Sequence, residues 1–220
     1  MMRAVIMVSG SGTNLQAIID ANIPQLEIAA VVSDNPAAYG LERARNAGIP
    51  AIVVDYKSFA ARSDFDKALF ETLQQIDPEL IVLAGFMRIL DADVVNHYDG
   101  RMLNVHPSLL PDYPGLHTHQ RVIDARERWH GTTVHYVIPE LDAGPAVMQY
   151  RIEISAEDTA ETLGTRIQQG EYRIYPEAIG LIAAGQLELR NGVVFKDGKQ
   201  LEQPVLVEET GSSNSNETDS

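Results

Sequence analysis

The chain contains no cysteine among its 220 residues. This absence excludes disulfide bonds, cysteine-ligated zinc and thiol nucleophiles, and it leaves open only metal sites built from histidine and carboxylate groups. Long apolar runs are also missing, since no window approaches the roughly 18 uninterrupted apolar residues that a membrane helix needs. The N-terminal Met-Met-Arg leads into a strand-like run and not into the apolar core of a signal peptide. We therefore expect a cytoplasmic protein without a membrane partner.

Basic residues are scarce relative to acidic ones. Seventeen Lys and Arg face 31 Asp and Glu, which gives a formal net charge of −14. Nucleic-acid binding needs a basic surface that neutralises phosphates, so we expect no nucleic-acid partner. An acidic protein can still hold a phosphate locally, through backbone amides at the start of a helix.

The composition changes near the C-terminus. Residues 208–220 consist of Glu, Thr, Gly, Ser, Asn and Asp, with four acids and no Lys or Arg. Such a segment cannot bury enough apolar area to offset the entropy of ordering, so it is predicted to be a disordered acidic tail. The remaining chain has the length and apolar content of one domain, over residues 1–207.

Within that domain, short apolar runs alternate with helix-like patterns. Runs rich in Val, Ile and Leu are typical of strands that are buried on both faces. They occupy residues 3–8, 27–33, 51–54, 80–84 and 102–105. Helix-like patterns lie between them at residues 14–21, 40–47 and 58–76. This order predicts an α/β fold with a Rossmann-like, doubly wound and mostly parallel sheet. Two runs of mixed polarity, 132–137 and 147–154, predict strands added on one side of it.

The C-terminal half carries three local signals. Ser155 and Asp158 form an S-x-x-D pattern that predicts the cap of a long helix. Pro176 is expected to start a new turn or to kink that helix. Asn191 and Gly192 supply the tight turn of a predicted hairpin.

An amide and an imidazole lie two positions apart near the end of one predicted strand. Alternate side chains of a strand share a face, so Asn104 and His106 should project together while Val105 turns into the core. Pro107 ends the strand and leaves the pair at its rim. A neutral amide donor beside a titratable imidazole suits a reaction that forms an oxyanion and moves a proton. A purely structural role, capping the strand, stays open.

The Ser-Gly-Ser-Gly-Thr-Asn segment at residues 9–14 follows a predicted strand and opens a predicted helix. Glycines allow close backbone approach, and the helix start offers unpaired N–H groups to an anion. The segment lacks the third glycine of a dinucleotide loop and the lysine of a Walker loop. It therefore favours a phosphomonoester over a dinucleotide or a nucleoside triphosphate.

Further histidine and carboxylate groups follow these two motifs. His117 and His119 come directly after a proline-rich loop, and Asp142 lies in an acidic loop whose Gly-Pro turn could hold its carboxylate against an imidazole. Together with His106, these groups could alternatively ligate zinc or iron.

Five segments together carry a resemblance to a known family. They are the loop 9–14, Ala-Gly-Phe-Met-Arg-Ile-Leu at 84–90, His-Pro-Ser-Leu-Leu-Pro at 106–111, Pro-Gly-Leu-His-Thr-His at 114–119 and Glu-Leu-Asp-Ala-Gly-Pro at 140–145. Each segment alone is weakly specific, but all five in the same order are highly specific. From about residue 3 to about residue 185, the chain resembles the folate-dependent formyltransferases.

The resemblance implies an activity and a mechanism. The expected reaction transfers a formyl group from 10-formyltetrahydrofolate to the amine of 5-phosphoribosylglycinamide in purine synthesis, with no metal. The amine would attack the formyl carbon directly and form a tetrahedral species. Asn104 and His106 would stabilise its oxygen, and Asp142 would orient His106 and help to relay a proton.

The resemblance also implies two sets of binding residues, and it leaves a homodimer open. The residues expected to bind the ribonucleotide are Gly12, Thr13, Asn14, Pro107 and Glu171. The residues expected to bind the folate are Arg62, Met87, Arg88, Ile89, Leu90 and Asn104.

Other functions remain open on the sequence. A 10-formyltetrahydrofolate hydrolase could direct Asn104, His106 and Asp142 at water, although such enzymes carry an N-terminal regulatory domain and here a strand begins at Arg3. Methionyl-tRNA formyltransferase shares the central motif but adds an RNA-binding domain. A nicotinamide-dependent oxidoreductase would hold a ribose with Asp34, and the missing third glycine argues against it. A nucleotide-binding module without activity would keep the loop and not need the three polar groups together.

Overall fold

The computed structural model of the chain describes residues 1–209. The elements in chain order are β1 (Met2–Val8), α1 (Thr13–Asp20), β2 (Leu26–Ser33), α2 (Tyr39–Asn46), β3 (Ala51–Val53), α3 (Arg62–Ile76), β4 (Leu80–Leu83), α4 (Ala92–His97), β5 (Met102–His106), α5 (Thr118–Asp124), β6 (Trp129–Tyr136), β7 (Ala146–Glu153), α6 (Ala160–Ala183), β8 (Leu187–Arg190), β9 (Val193–Lys196), β10 (Lys199–Gln200) and β11 (Val205–Glu208). Eight strands form one sheet in the order β11-β7-β6-β5-β4-β1-β2-β3, and β8, β9 and β10 form a small second sheet. No helix in this range is long and apolar enough to cross a membrane.

The first five strands pair in parallel and are covered by helices on both faces. Along β1, Ala4, Ile6 and Val8 pack into a core shared with α1 and α6. Val5 and Met7 point the other way, into a core shared with α3 and α4. A strand buried on both faces needs apolar residues at every position, which is what the sequence supplies. The predicted doubly wound, mostly parallel α/β sheet is confirmed.

The sheet continues beyond β5 with strands of the opposite direction. β6 pairs antiparallel with β5, β7 pairs antiparallel with β6, and β11 completes that edge in parallel to β7. The strands predicted on one side of the sheet are therefore confirmed. The strand order reverses between β1 and β4, and open α/β sheets bind ligands at the carboxyl ends of strands beside such a reversal. The end of β5 lies next to the crevice that such a reversal opens at the carboxyl ends of β1 and β4.

The long helix α6 continues past Pro176 and begins at a different cap from the predicted one. It runs through Pro176 as one helix, so no new element begins there. Its cap is Thr159, whose Oγ1 accepts a hydrogen bond from the Thr162 backbone N–H at 3.2 Å, while Thr162 Oγ1 accepts one from the Thr159 N–H at 2.9 Å. The Ser155 N–H donates to the Asp158 carboxylate at 2.8 Å in a turn that precedes the helix.

The last described residues belong to the folded domain. The predicted Asn-Gly hairpin is confirmed by the antiparallel pairing of β8 with β9. The predicted tail began at residue 208, but Glu208 lies in β11 and pairs with Arg151 of β7. Glu209 forms an ion pair with Arg166 at 2.7 Å. These charged contacts extend the domain by two residues, and the predicted tail over 210–220 lies outside the described residues.

A buried tyrosine connects α6 to the centre of the sheet. The side chain of Tyr175 is fully buried, and its hydroxyl oxygen lies 3.0 Å from the Leu83 carbonyl oxygen and 3.1 Å from that of Leu103. Burial raises the pKa of the hydroxyl well above its usual value, so the group stays protonated. Leu83 ends β4 and is in register with Asn104 of β5. The tyrosine therefore fixes the two strand ends from which the site begins.

Replacing Tyr175 by Phe should leave buried carbonyl oxygens without their donor. We expect Tyr175→Phe to lower the free energy of unfolding by about 1–3 kcal/mol, as measured by urea denaturation. Tyr172→Phe is the matched control, because the Tyr172 hydroxyl makes no hydrogen bond within residues 1–209 and should change stability by less than about 0.5 kcal/mol. Equal effects of the two variants would contradict a special role for Tyr175.

Candidate active site

The amide of Asn104 is oriented by a histidine on the neighbouring strand. Asn104 is in register with His135 of β6, and its Nδ2 lies 3.2 Å from His135 Nε2. The other ring nitrogen, Nδ1, lies 2.9 Å from the Tyr136 carbonyl oxygen, which can only accept, so Nδ1 carries the proton. Nε2 is then an acceptor for one N–H of Asn104. The second N–H of this amide makes no hydrogen bond within residues 1–209, so it can donate to a ligand.

Burial also controls the charge of His135. The imidazole is nearly inaccessible to solvent, and this burial lowers its pKa. The hydrogen bond to the Tyr136 carbonyl and the nearby Asp142 carboxylate oppose the shift. A neutral ring at physiological pH is the form that accepts from Asn104.

His106 lies between two acceptor groups. Its Nε2 is 3.1 Å from the Tyr113 carbonyl oxygen, and its Nδ1 is 3.4 Å from Oδ2 of Asp142. The side chains of His106 and Asp142 are each only 7% exposed. Asp142 has a left-handed backbone with φ of 53°, and its Oδ2 also accepts from the Gly115 N–H at 2.9 Å. Because the Tyr113 carbonyl can only accept, Nε2 carries a proton, and the second proton of a charged His106 ring, on Nδ1, faces a buried carboxylate that can receive it.

The loop at residues 9–14 connects β1 to α1. Gly12 has a φ of 68°, and a Cβ added there would lie 2.6 Å from the Cα of Gly40. Glycine at position 12 is therefore required by the contact with α2, independently of any ligand. Thr13 and Asn14 open α1, and no side chain caps the helix. Their N–H groups can donate to an anion.

Asn14 and Glu171 connect α1 to α6 beside this loop. Nδ2 of Asn14 donates to Oε2 of Glu171 at 2.9 Å, and Oδ1 of Asn14 is buried without a hydrogen-bond partner within residues 1–209. Burial raises the pKa of Glu171 to about 7, and the hydrogen bond from Asn14 opposes the rise. Near neutral pH, the pair offers a carboxyl group that is partly protonated and an unsatisfied amide oxygen. Both suit the hydroxyl or amine groups of a polar ligand.

The segment after β4 forms an apolar wall at the crevice. Met87 is 72% exposed and Ile89 is 61% exposed, whereas Leu90 is buried. Nη2 of Arg62, at the start of α3, donates to the Ile89 carbonyl at 2.9 Å. Exposed apolar side chains grouped in this way beside a cleft are typical of a surface that binds a flat, partly apolar ligand.

The side chain of Arg88 binds within the protein. Its Nε donates to Oδ2 of Asp34 at 2.8 Å, and its guanidinium carbon lies 3.9 Å from the centroid of the Tyr56 ring. Oδ1 of Asp34 accepts from the Ser9 hydroxyl, whose oxygen also accepts from the Met87 N–H at 2.8 Å. The ion pair with Asp34 thus fixes the Arg88 side chain, although that side chain remains 39% exposed. Because the carboxylate of Asp34 is buried and bound, it cannot hold the ribose of a nicotinamide cofactor.

Within the described part of the chain, His117, His119 and His130 make no hydrogen bond to Asn104, His106 or Asp142. His117 is exposed at the start of α5, and His119 Nδ1 lies 2.9 Å from His130 Nε2. Burial lowers the pKa of both paired histidines, to about 4 for His130. Within residues 1–209, no group of three or more His, Asp or Glu side chains is arranged to hold a metal ion.

Comparison with known sequences assigns a family to this fold and site. The profile described as formyl transferase matches residues 2–179, which is most of the chain. The chain belongs to the formyl transferase family.

Individual relatives resemble the chain over nearly all of its length. Phosphoribosylglycinamide formyltransferase of Escherichia coli K12 is 43% identical over 203 residues, covering 91% of this chain and 96% of that protein. The protein of the same name from Haemophilus influenzae is 44% identical over 205 residues, again covering 91% and 96%. The solved structure of phosphoribosylglycinamide formyltransferase from Coxiella burnetii, in complex with CHES, has a TM-score of 0.88 at 49% identity and covers 93% of this chain and 98% of that one.

The raised pKa of Glu171 predicts how the free energy of unfolding depends on pH. From about pH 4.5 to about pH 7, the folded state keeps the Glu171 proton that the unfolded chain has lost. The contribution of this group to stability therefore falls as pH rises through that interval. Glu171→Gln mimics the protonated acid, so its free energy of unfolding should rise relative to the parent by up to about 3 kcal/mol between pH 4.5 and pH 8.

Urea denaturation at a series of pH values measures this difference. Glu177→Gln, an exposed position on the same helix, is the control and should follow the parent chain at every pH. A stability difference between Glu171→Gln and the parent that is constant with pH would mean that Glu171 titrates like an exposed carboxyl group.

Proposed function

We propose that this chain transfers a formyl group from 10-formyltetrahydrofolate to the amine of 5-phosphoribosylglycinamide, as a step of purine synthesis in the cytoplasm. The family assignment supports formyl transfer, and the relatives named above support this acceptor. The observation that carries the proposal within the molecule is the grouping of Asn104, His106 and Asp142 at the end of β5, beside the crevice. The functional unit in this proposal is the single domain.

Asn104 and His106 act on the developing negative charge. When the amine nitrogen attacks the formyl carbon, the new carbon–nitrogen bond forms and the carbonyl electrons move to oxygen. The free N–H of Asn104 donates to that oxygen, and protonated His106 adds a second charge-stabilising group. His135 keeps the Asn104 amide in the donating orientation, since it accepts the other N–H.

In this proposal, Asp142 takes part in the proton transfer. The attacking amine must lose a proton, and the bond between the formyl carbon and N10 of the folate breaks as N10 gains one. Asp142 lies 3.4 Å from Nδ1 of His106, so it can orient the ring and receive or return a proton, directly or through water. No serine or cysteine nucleophile is needed, because the amine is itself the nucleophile.

The two substrates occupy the two halves of the crevice in this proposal. The phosphate binds the N–H groups at Gly12, Thr13 and Asn14, while Glu171 and Pro107 contact the rest of the ribonucleotide. The folate ring lies along the apolar wall that follows β4, where it binds backbone groups of that segment and the Asn104 side chain. The residues proposed for this wall are Arg62, Met87, Arg88, Ile89 and Leu90.

A spectroscopic assay tests the proposal as a whole. Loss of 10-formyltetrahydrofolate is followed with and without 5-phosphoribosylglycinamide, and we expect turnover only when the ribonucleotide is present. Consumption of the folate at the same rate without the ribonucleotide would identify a hydrolase and overturn the proposal.

Removing the amide of Asn104 should slow the chemical step. We expect Asn104→Ala to lower kcat by about 10² to 10³, because a single oxyanion donor contributes about that factor. The KM of the ribonucleotide should change much less, since this donor acts mainly in the transition state. Steady-state kinetics measure both parameters, and a variant that lost affinity while keeping kcat would place Asn104 in ground-state binding.

Removing the charge of Asp142 should impair proton transfer. We expect Asp142→Asn to lower kcat by at least about 10² and to move the acidic limb of the pH–rate profile. Glu140→Gln is the matched control, because it removes one carboxylate from the same loop at an exposed position and should leave both unchanged. Near-normal turnover with an unmoved profile in Asp142→Asn would make Asp142 a turn residue only.

A further inference from the structure

The four carbonyl oxygens of residues 9–12 all accept hydrogen bonds within the protein. The Ser9 carbonyl accepts from Nδ2 of Asn35 at 3.1 Å. The Gly10 carbonyl accepts from the N–H of Gly40 at 3.0 Å, and the Gly12 carbonyl accepts from the N–H of Gln16 at 2.9 Å. The fourth carbonyl, that of Ser11, accepts from the side chain of Arg43.

Arg43 of α2 binds the Ser11 carbonyl. Its Nε donates to that oxygen at 2.8 Å, and its Nη1 donates to Oε1 of Gln16 in α1 at 3.1 Å. Its guanidinium carbon lies 4.9 Å from the centroid of the exposed Tyr39 ring. Within residues 1–209, the guanidinium forms no ion pair with a carboxylate. Its positive charge therefore lies beside the loop without a negative partner.

The hydrogen bonds of the loop carbonyls also determine where the N–H groups of the loop point. The C=O and N–H of one planar trans peptide point in opposite directions. Because the carbonyls of Gly10 and Ser11 point toward α2, the N–H groups of Ser11 and Gly12 point away from it. Neither N–H group donates to any atom of residues 1–209. Successive backbone N–H groups of this kind, next to the start of a helix, make a concave anion site.

We propose that Arg43 is a positioning residue for the ribonucleotide phosphate, acting by holding the Ser11 carbonyl toward α2 so that the Gly12 N–H faces the phosphate. This inference rests on the proposed function, because it assumes that the loop binds a phosphate. It also assigns a role to α2, which contains none of the sequence motifs. The close approach of Gly12 and Gly40 brings α2 near enough for the contact.

The test compares two ligands that differ only by the phosphate. Calorimetry measures the Kd of 5-phosphoribosylglycinamide and of its phosphate-free ribonucleoside for the parent chain, Arg43→Gln, Arg43→Lys and Arg45→Gln. Arg45 is the matched control, since it lies on the same helix with an exposed side chain and, among residues 1–209, pairs only with Glu42, at 3.5 Å. All four proteins are checked by thermal unfolding.

In Arg43→Gln, we expect ribonucleotide binding to weaken by about 10- to 100-fold, the range for one hydrogen bond to a charged group. Ribonucleoside binding, kcat at saturating ribonucleotide and the KM of the formyl donor should stay near the parent values. Arg43→Lys keeps the charge without the fixed Nε donor, so it should restore only part of the affinity. Arg45→Gln should match the parent.

Two results would overturn the inference. The first is equal weakening for ribonucleotide and ribonucleoside, which would mean that Arg43 supports the fold and not the phosphate contact. The second is full affinity in both Arg43 variants; if Arg43→Gln does not fold, full affinity in Arg43→Lys decides alone. If the parent chain binds both ligands equally, the phosphate site of the proposed function itself fails, and that outcome is distinct from the other two.

Discussion

The antiparallel pairing of β5 with β6 is the constraint on which the candidate site depends. It sets Asn104 opposite His135 and His106 opposite Thr133. A register slip of one residue would turn every side chain of β5 to the other face, and both polar groups would enter the core. The slip is opposed after the strand end, because Thr133 Oγ1 donates to the Ser108 carbonyl at 2.7 Å. The same strand β6 then leads into the loop that returns Asp142 to His106.

The buried carboxylates near the crevice are bound by basic side chains or partly protonated. This explains how an acidic protein can bind a negatively charged ligand. Asp34 is bound by Arg88, Asp142 faces His106, and Glu171 has a raised pKa that leaves it partly protonated near neutral pH. The acids around the crevice therefore present little uncompensated charge to a phosphate. Positive potential comes instead from Arg43 and from backbone N–H groups at the start of α1, and the latter act over short distances whatever the net charge of the chain.

The fold was more predictable from the sequence than the site. Strands buried on both faces are continuous apolar runs, and the parallel sheet followed from them. Pro176 starts no new element, because the apolar residues buried on both sides of it keep α6 continuous despite a cost of about 3 kcal/mol for proline in a helix interior. Asn104 and His106 are two positions apart, so their shared face followed from strand geometry. The contact of Arg88 with Asp34 spans 54 positions, and no local pattern encodes such a distance.

The two proposed substrate sites share one hydrogen-bonded unit, and this has a consequence for catalysis. The hydroxyl of Ser9, the first residue of the proposed phosphate loop, donates to Asp34 and accepts from the N–H of Met87, the first residue of the proposed folate wall. A displacement of either segment must therefore move the other or break the hydrogen bond between Met87 and Ser9. Direct transfer between two bound molecules requires their reacting atoms to lie about 3–3.5 Å apart and aligned. A misplacement of about 1 Å can lower the rate by about 10². Because the sheet reversal places the ends of β1 and β4 side by side, Ser9 can bond to the segment after β4. This one hydrogen bond fixes the phosphate loop and the folate wall relative to each other.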